Sequence, residues 1–566
     1  MKTITNFDRF WGLLWVLALL VPENLPASSF QSTKFVISSP SHYATEAGVA
    51  VAKMGGNVVD AAVAMELVLS VSSPYNATLG GGGFALIKMA QEDVVALDFR
   101  EKAPGRSTAE MFKDRSSQDG PLAVAVPGIP LGLWDMHQRH GKLKWKDLFR
   151  WAIELAEKGQ IVSGEWAHIT LENLSRMSPS GRRIFSPNDK SLKPGDTLRQ
   201  TALAKGLRLL QKDVKEFYQG QIAQDIVKSV KARGGLIDLE DLKNFDTRWL
   251  KPIDLKVDAY DIKLMPPPSS GGVVIASMFK ILERWRAKNK FDAILPLSAK
   301  EAHLLAEIER GAFRSRSLLG DPGFARMPLE QIFSDKFIDP IANAIDLKKK
   351  SQLQALPEDS LTESSQTTHF SVMDQQGNAV AMTITANGSY GSGEVTDKYG
   401  IVLNNQMDDF TTKPNQPNMF GLIQGRQNQV QPGKRPLSSM SPTIVLKNGK
   451  PVLSIGAPGG PRIISSVFQV LYRRLLRKDG LEAAVLAPRL HHQFLPDKIY
   501  FEKNRWSPEI FEQLKSNGFE FEETTGIGRV FAVGRAKLDP EADKQLDDEI
   551  LESVQDPRGE SSAGGY

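Results

Sequence analysis

Two short segments in the second half of the chain are rich in β-branched and apolar residues and partly alternate polar with apolar positions. They are THFSVMD, which begins at Thr368, and AVAMTIT, which begins at Ala379, and the residues QQGN separate them. Such runs on either side of a glycine-containing turn are typical of a β-hairpin. The pattern predicts that Thr367 lies at the start of one strand, close to Thr385 and Asn387 near the end of its antiparallel partner.

The remaining chain alternates between strand-like and helix-like patterns. Apolar residues spaced by about 3.6 positions predict helices over 142–158, 201–210, 221–234, 298–318 and 463–476, and a nearly all-apolar stretch from Val58 predicts a buried helix. Strands are predicted over 84–89 and 94–99, and a second hairpin over 443–455 around Asn448-Gly449. Strands at both ends with helices between them indicate sheets covered by helices.

Two polar features are expected to be solvated or structural. The segment 351–366, SQLQALPEDSLTESSQ, has no apolar period and predicts a flexible surface segment that ends directly before Thr367. Charged residues at polar positions of the helix over 298–318 are expected on a solvated face or in structural ion pairs; they are Glu307, Glu309, Arg310, Arg314 and Arg316.

Four consecutive glycines, Gly80 to Gly83, precede the predicted strand at 84–89. A phosphate-binding loop would end in Gly-Lys-Ser/Thr and open a helix, and neither signal follows here. We therefore predict that these glycines let the backbone pack closely against a neighbouring segment.

The N-terminus has the features of an export signal. Lys2 and Arg9 precede an apolar run from Phe10 to Val21, and this run of 12 residues is shorter than the roughly 20 that a membrane helix needs. Small residues follow at 27–29, so we predict a signal peptide over 1–27, with an uncleaved anchor as the alternative. The mature protein is expected to be periplasmic or secreted and to have no membrane span.

Composition narrows the function classes further. The 566 residues are 41% apolar and 24% charged, as in an ordinary globular protein, and the net charge of +4 does not indicate a nucleic-acid partner. The absence of cysteine excludes disulfides, thiol nucleophiles and cysteine-bound metals. His369, His491 and His492 lack the spacing of metal ligands, so neither a metal nor a cofactor is expected.

A series of motifs then occurs in one order along the chain. They are PYNATLGGGGF, LDFREKAP, VPGIPLG, MPPPSSGG, TTHFSVMD, GIVLNNQMDDF, RPLSSMSPT, GAPGGPR and DPRGESSAGGY. Together they resemble the γ-glutamyltransferases (γ-glutamyltranspeptidases), which are N-terminal-nucleophile hydrolases, over nearly the whole chain after the leader. The resemblance implies an α+β fold, a four-layer αββα sandwich built from two autoprocessed fragments. These would be a large subunit, 28–366, and a small subunit, 367–566, which remain associated as a heterodimer and form one intertwined domain.

A threonine hydroxyl becomes a nucleophile when a base removes its proton, and the α-amine of an N-terminal threonine can act as that base. This route requires a cut between Gln366 and Thr367, which the resemblance implies to be autocatalytic. It also implies that Thr385 orients Thr367, and that Gly459 and Gly460 form the oxyanion hole with backbone N–H groups.

A γ-glutamyl group carries an α-carboxylate and an α-ammonium besides its reacting carbonyl. Arginine and hydroxyl groups suit the carboxylate, whereas carboxylate and amide oxygens suit the ammonium. The residues at the matching positions of the family are Arg100, Ser438 and Ser439 for the carboxylate, and Asn387, Gln406 and Asp409 for the ammonium. The resemblance therefore implies glutathione and other γ-glutamyl compounds as donors, and water, amino acids or dipeptides as acceptors.

One motif departs from the family. The segment KPNQPNMFGL matches the lid over the substrate site, but Phe420 stands where bacterial relatives often have Tyr. The lost hydroxyl would favour hydrolysis over transfer. Two alternatives remain open: a related acylase of the same fold acting on another amide, such as a β-lactam side chain, and an inactive exported binding protein.

Overall fold

The structure, a computed structural model, describes residues 29–353, 367–412, 425–538 and 550–566. The predicted signal peptide, Gln366 at the proposed cleavage bond and the predicted lid with Phe420 lie outside these residues. No helix within the described ranges has the length and apolar character needed to cross a bilayer.

The strands of the described residues are numbered in chain order. They are β1 (Ser29–Ser32), β2 (Phe35–Ser39), β3 (Gly82–Lys88), β4 (Val95–Phe99), β5 (Gln160–Ile161), β6 (Thr197–Leu198), β7 (Arg248–Leu250), β8 (Ile253–Val257), β9 (Tyr260–Leu264), β10 (Thr368–Asp374), β11 (Ala379–Thr385), β12 (Thr443–Lys447), β13 (Lys450–Gly456), β14 (Leu490–His491), β15 (Lys498–Glu502), β16 (Glu520–Thr524), β17 (Phe531–Arg535), β18 (Leu551–Val554) and β19 (Ser562–Gly565).

The α-helices are numbered in the same way. They are α1 (His42–Lys53), α2 (Val58–Ser72), α3 (Ile129–His140), α4 (Arg150–Lys158), α5 (Gly164–Asn173), α6 (Pro179–Phe185), α7 (Thr201–Lys212), α8 (Lys215–Tyr218), α9 (Gln221–Lys231), α10 (Leu239–Lys243), α11 (Gly271–Arg286), α12 (Ala299–Phe313), α13 (Leu329–Ile332), α14 (Asp335–Ala344), α15 (Arg462–Leu475), α16 (Leu481–Leu486) and α17 (Pro508–Ser516).

Two sheets pack face to face at the centre, and each contains seven of the described strands. One has the order β19-β2-β10-β11-β3-β4-β7, and the other has the order β1-β18-β17-β13-β12-β9-β8. Helices α1 and α2 cover the outer face of the first sheet, and α11 and α15 cover the outer face of the second. This arrangement confirms the α+β fold class and the four-layer αββα sandwich. Both sheets mix strands from before and after Thr367.

The predicted hairpin is β10–β11, with Thr368 opposite Ile384. All residues of both strands are buried, because helices cover one face and the second sheet covers the other. Phe370 and Val372 face the helical core, whereas Ser371 donates a hydrogen bond to the Phe531 carbonyl in the second sheet. The second predicted hairpin is β12–β13, with left-handed φ angles of 51° at Asn448 and 76° at Gly449.

Most predicted helices are present, and two predictions need correction. Residues 145–149 form a 3₁₀ turn before α4, so the helix predicted over 142–158 begins later. The charges of the 298–318 helix, expected on a solvated face or in structural ion pairs, are mostly buried. The prediction of a solvated face is therefore wrong, whereas Arg310 does form an ion pair with Asp497. Glu307 and Glu309 have no exposed surface, and Arg310 is 4% exposed. They bind Ser351, Gln469 and Asp497, respectively, because α12 packs between other elements rather than against solvent.

The glycine run packs against backbone, as predicted. A Cβ on Gly81 would lie 2.1 Å from the carbonyl oxygen of Thr385, and one on Gly83 would lie 2.4 Å from that of Thr383. These contacts are too short for any side chain, so the glycines allow β3 to pair closely with β11.

A buried ion pair ties the first sheet to the segment that carries Ser438 and Ser439. Arg435 Nη1 lies 2.7 Å from Asp98 Oδ2 at the end of β4, and neither side chain is exposed. Removing one partner of such a pair leaves an uncompensated buried charge, which costs about 3–5 kcal/mol.

We therefore expect Arg435→Met to lower the free energy of unfolding by about 3–5 kcal/mol, measured by urea denaturation. Arg208→Met is the matched control, because Arg208 pairs with Glu157 at an exposed site where such pairs contribute about 0–1 kcal/mol. Equal losses in the two variants would contradict the role assigned to the buried pair.

Candidate active site

Thr367 lies directly before β10 and is 5% exposed. Thr385 is the last residue of the paired strand β11, and both threonines line the same cavity. Thr385 Oγ1 accepts a hydrogen bond of 2.8 Å from the backbone N–H of Asn387. The hairpin register therefore brings together the three residues that the sequence placed at its open end.

Gly459 and Gly460 lie between β13 and α15, next to Thr367. Their φ angles are 130° and 53°, in the left-handed region that side chains disfavour. Gly460 lines the cavity that contains Thr385, whereas Gly459 lines a second cavity on another side of Thr367. The N-terminus of α15 follows at Arg462, so partial positive charge from the helix dipole lies near the threonine.

The first cavity has a volume of about 20 Å³. All six residues predicted to bind substrate line it, together with Thr367 and Thr385; the six are Arg100, Asn387, Gln406, Asp409, Ser438 and Ser439. They come from the end of β4, the end of β11, the 3₁₀ turn Gln406–Asp409 and the segment before β12. The fold thus brings together residues that are more than 300 positions apart in the chain.

Arg100 and Asp409 contact each other directly. The Nη2 atom of Arg100 lies 2.5 Å from Asp409 Oδ2, and the guanidinium also donates to the carbonyls of Pro436 and Leu437. Gln406 Nε2 donates to the same Asp409 oxygen at 2.7 Å. Burial raises the pKa of Asp409, and the positive charge of Arg100 opposes that rise. The two residues predicted to bind the oppositely charged groups of the substrate therefore form an ion pair with each other.

The serine pair is held by the MPPPSSGG loop. The carbonyl of Ser438 accepts hydrogen bonds of 2.7 Å from both the backbone N–H and the hydroxyl of Ser270. Gly271 lies so close to this segment that a Cβ would come within 1.9 Å of Ser441 Oγ. The loop motif thus positions the segment that presents Ser438 and Ser439 to the cavity.

Arg316 also lines the first cavity, and the sequence analysis placed it among structural charges. It is 4% exposed, and Nη2 makes one long contact of 3.5 Å with Ser439 Oγ. Its Nε and Nη1 atoms are buried without a hydrogen-bond partner among the described residues. Burial lowers the pKa of Arg316 to about 10. The sequence signal was weak, because a lone arginine after a helix is an ordinary surface feature.

The second cavity is larger, with a volume of about 230 Å³. Residues from distant parts of the chain line it beside Thr367 and Gly459, and they include Asn76, Glu165, Arg462, Arg529 and Arg558. None of these side chains was singled out by the sequence, because they become neighbours only in the folded chain.

The buried histidines make hydrogen bonds of structural type. His369 contacts Thr383 Oγ1 at 2.7 Å and Ser371 Oγ at 3.0 Å, and burial lowers its pKa to about 3. His491 contacts Ser465 Oγ at 2.7 Å and Gln493 Oε1 at 2.9 Å. These histidines therefore act as neutral hydrogen-bonding groups at neutral pH.

Glu101, next to Arg100, is fully buried, and its Oε2 atom lies 3.6 Å from Arg100 Nη1. Burial raises its pKa to about 7 from an ordinary value of 4.5, and Arg100 opposes the shift. Between these two pH values the folded chain holds a proton that the unfolded chain releases, so this group makes stability fall as the pH rises.

Glu101→Gln removes that dependence. The free energy of unfolding of the variant minus that of the unmodified protein should increase as the pH rises from about 4.5 to about 7. Above that range the difference should stay constant. Urea denaturation at a series of pH values measures it, with Glu330→Gln as the control at an exposed glutamate. A difference in unfolding free energy that does not change with pH would contradict a raised pKa of Glu101.

Comparisons with known proteins identify the family and agree with the fold. A family model described as gamma-glutamyltranspeptidase matches residues 44–566. A glutathione hydrolase proenzyme of Escherichia coli (strain K12) is 40% identical over 497 residues, which are 85% of this chain and 85% of that protein.

Two solved structures are also similar. A cephalosporin acylase from Bacillus halodurans has a TM-score of 0.84 at 22% identity and covers 96% of this chain and 98% of its own, which shows likeness of fold. A gamma-glutamyltranspeptidase from Helicobacter pylori has a TM-score of 0.52 at 35% identity, over 56% of this chain and 92% of its own. The family match over nearly the whole sequence, with relatives at this level of identity, shows that the chain belongs to the gamma-glutamyltranspeptidase family.

Proposed function

We propose that this protein is an exported γ-glutamyltransferase and glutathione hydrolase whose nucleophile is Thr367. The observation that carries the proposal is the first cavity, in which two arginines, two serines and the carboxylate of Asp409 surround Thr367. Positive, hydroxyl and negative groups on one site suit a γ-glutamyl group, which carries a carboxylate and an ammonium on one carbon. The leader at 1–27 supports export.

Cleavage between Gln366 and Thr367 would precede catalysis and divide the chain into subunits 28–366 and 367–566. Both halves contribute strands to both sheets, so the fragments would stay associated through the shared core. The new α-amine of Thr367 has an ordinary pKa of about 8, so a useful fraction of it is neutral near neutral pH and can act as base.

In the proposed reaction, Thr367 Oγ attacks the γ-carbonyl carbon while the α-amine takes the hydroxyl proton. The C–N bond of the donor then breaks, the proton passes to the leaving amine, and an ester joins the γ-glutamyl group to Thr367. Water or an acceptor amine attacks the ester, loses a proton and releases Thr367 Oγ, which regains one. Thr385 would orient the nucleophile, and the N–H groups of Gly459 and Gly460 would stabilise the oxyanion.

The charged groups that would bind the donor are already in place, but the first cavity is too small to admit it. A cavity of about 20 Å³ has room for little more than one water molecule, so donor binding requires the cavity to open. The ammonium would replace Arg100 as a partner of Asp409, and it would also reach Gln406 Oε1, which is buried without a partner in the described part of the chain. The α-carboxylate would then bind Arg100 and Arg316 together with Ser438 and Ser439.

Arg316, which the sequence did not predict at the site, gives further support for binding of the α-carboxylate. A buried guanidinium with two unpaired nitrogens carries a desolvation cost that a bound carboxylate would offset. The alternative acylase reading lacks such support, since an acyl chain without an α-amino acid group would leave Asp409 and these arginines without ligands. The similarity to the cephalosporin acylase concerns the fold alone.

One prediction of the proposed function concerns processing. Mature protein should consist of two associated fragments, and N-terminal sequencing of the second should read Thr-Thr-His-Phe. Thr367→Ala should remain one uncut chain without turnover of a γ-glutamyl anilide, whereas Thr367→Ser, which keeps a hydroxyl, should still cut itself. An alanine variant that still cleaves at this bond would show that Thr367 is not the nucleophile. If the unmodified chain also showed no turnover, the alternative of an inactive exported binding protein would be favoured.

Another prediction of the proposed function concerns Arg316. Arg316→Gln should raise KM for a γ-glutamyl anilide by roughly ten- to a hundredfold, since a hydrogen bond to a charged group contributes about 1.5–3 kcal/mol. Autocleavage should continue, because it involves no free donor. Turnover of a 4-aminobutyryl anilide, which lacks the α-carboxylate, should change far less.

Arg208→Gln provides the control for this comparison, because Arg208 is half exposed and lies on α7, outside both cavities. An equal loss with both anilides would remove Arg316 from carboxylate binding and assign it a structural role instead.

A further inference from the structure

Two separate segments of the chain supply charged and polar groups to the first cavity. The 3₁₀ turn Gln406–Asp409 carries two of the proposed ammonium ligands, and the segment 435–439 carries Ser438 and Ser439. A γ-glutamyl donor carries its ammonium and its carboxylate on one carbon atom. The two segments must therefore keep a fixed distance from each other if both groups are to be bound at once.

Asn428 joins these two segments from outside the cavity. It lies in the 3₁₀ turn Arg426–Asn428, has no exposed surface and lines neither the first nor the second cavity. Its Nδ2 atom donates a hydrogen bond of 2.6 Å to the backbone carbonyl of Asp409, and its Oδ1 atom accepts one of 2.8 Å from the backbone N–H of Leu437. One buried amide group therefore links the backbones of both segments.

Leu437 extends this link to Arg100. The carbonyl of Leu437 accepts a hydrogen bond of 3.2 Å from Arg100 Nη2, and the neighbouring carbonyl of Pro436 accepts one of 3.2 Å from Arg100 Nε. Asn428 thus holds the peptide groups that orient the guanidinium proposed to bind the carboxylate. Through its other bond it holds the backbone of Asp409, which carries the carboxylate proposed to bind the ammonium.

The ion pair between Arg100 and Asp409 also connects the two segments in the free protein. In the proposed function the ammonium of the donor replaces Arg100 at Asp409, so this connection is lost when the donor binds. Asn428 bonds to backbone groups outside the cavity, and a donor does not compete for them. Its amide therefore keeps the two segments connected in the donor complex.

The turn that carries Asn428 is itself fixed. Lys434 is 1% exposed, and its Nζ atom donates to the carbonyls of Gln427 and Gln429 at 2.6 and 3.0 Å. The backbone N–H of Thr411 donates a hydrogen bond of 2.9 Å to the carbonyl of Asn428. These bonds hold the backbone on both sides of Asn428, so its amide projects from a fixed point.

We propose that Asn428 is a positioning residue whose amide sets the distance between the ammonium-binding and carboxylate-binding groups of the first cavity. It thereby makes the cavity select donors that carry both charges on one carbon. This inference rests on the proposed γ-glutamyl transfer. Asn428 acts through the backbones of Asp409 and Leu437 and contacts no reacting atom.

Asn428→Asp tests this role with almost no change in size. An ionised aspartate keeps the acceptor for Leu437 but replaces the N–H donor to the Asp409 carbonyl by a second oxygen. With a γ-glutamyl anilide at neutral pH, KM should rise roughly tenfold. The change in kcat should be much smaller, because the ammonium and the carboxylate are bound alike in the ground and transition states. Autocleavage, which involves no free donor, should continue and would show that the variant folds.

Two truncated donors distinguish positioning from a general loosening of the site. A glutaryl anilide lacks the ammonium, and a 4-aminobutyryl anilide lacks the carboxylate. A donor with one charged group does not need the two segments at a fixed distance, so kcat/KM for each should fall less than about threefold in the variant. Equal losses with all three donors would overturn the proposal and assign Asn428 a structural role.

The pH dependence of the variant gives a readout that packing alone would not change. A protonated carboxyl group at position 428 can donate to the Asp409 carbonyl, and burial raises the pKa of such a group. The kcat/KM of Asn428→Asp for the γ-glutamyl anilide, divided by that of the unmodified protein at the same pH, should fall as the pH rises from about 5 to about 9. The division removes the titration of groups that both proteins share. A ratio that stays constant would contradict the role of the Asn428 N–H donor.

Asn188→Asp is the matched control, because Asn188 is exposed in the 3₁₀ turn Pro187–Asp189 and lines neither cavity. Its kinetics should equal those of the unmodified protein with all three donors. An unchanged KM for the γ-glutamyl anilide in Asn428→Asp at every pH would overturn the role of Asn428 alone. No turnover of this anilide by the unmodified, cleaved protein would instead contradict the proposed function.

Discussion

The hairpin β10–β11 is buried on both faces, and the position of Thr367, around which the other site residues lie, follows from that burial. A strand covered by helices on one side and by a second sheet on the other has no freedom to slip, since a shift by one residue would exchange its two faces. Phe370 and Val372 must face the helices, while His369 and Ser371 must find partners between the sheets. Thr367 is therefore held at a fixed point at the end of the strand.

Buried charge is the second constraint on this site. Arg100, Glu101, Arg316 and Asp409 have little or no exposed surface, and such groups carry a large desolvation cost unless they are paired. Arg100 and Asp409 satisfy each other, whereas Arg316 and Gln406 keep unpaired atoms among the described residues. A zwitterionic ligand carries one group of each sign and would give these atoms partners. Binding would therefore remove part of the desolvation cost that these groups carry in the free protein.

Thr367 lines two cavities that differ in size and charge. The first is small and contains charges of both signs, and the second is larger with a mainly positive lining. Gly459 lines the second cavity and Gly460 lines the first, and their positive φ angles disfavour side chains at both positions. The N-terminus of α15 adds positive potential at the same place.

Local rules in the sequence were enough to predict several elements. The turn residues predicted both hairpins, and the nearly all-apolar stretch from Val58 predicted the buried helix α2. The six residues that the motifs predicted to bind substrate all line one cavity in the structure.

Only the tertiary structure decided which charges are buried and which of them meet. The sequence allowed Glu307, Glu309 and Arg316 to lie in solvent, because the pattern of one helix does not show what packs against its polar side. It also assigned Arg100 and Asp409 to two oppositely charged groups of a ligand, but it did not show that the two side chains pair with each other, 2.5 Å apart, in the folded chain. Asn76, Glu165 and Arg529 are far apart in the chain, and no local pattern links them. The sequence by itself determined the backbone turns and the strand that begins after Thr367, because these depend on neighbouring residues. The pairing of buried charges was decided only by the tertiary structure, because it depends on packing between segments that are distant in the chain.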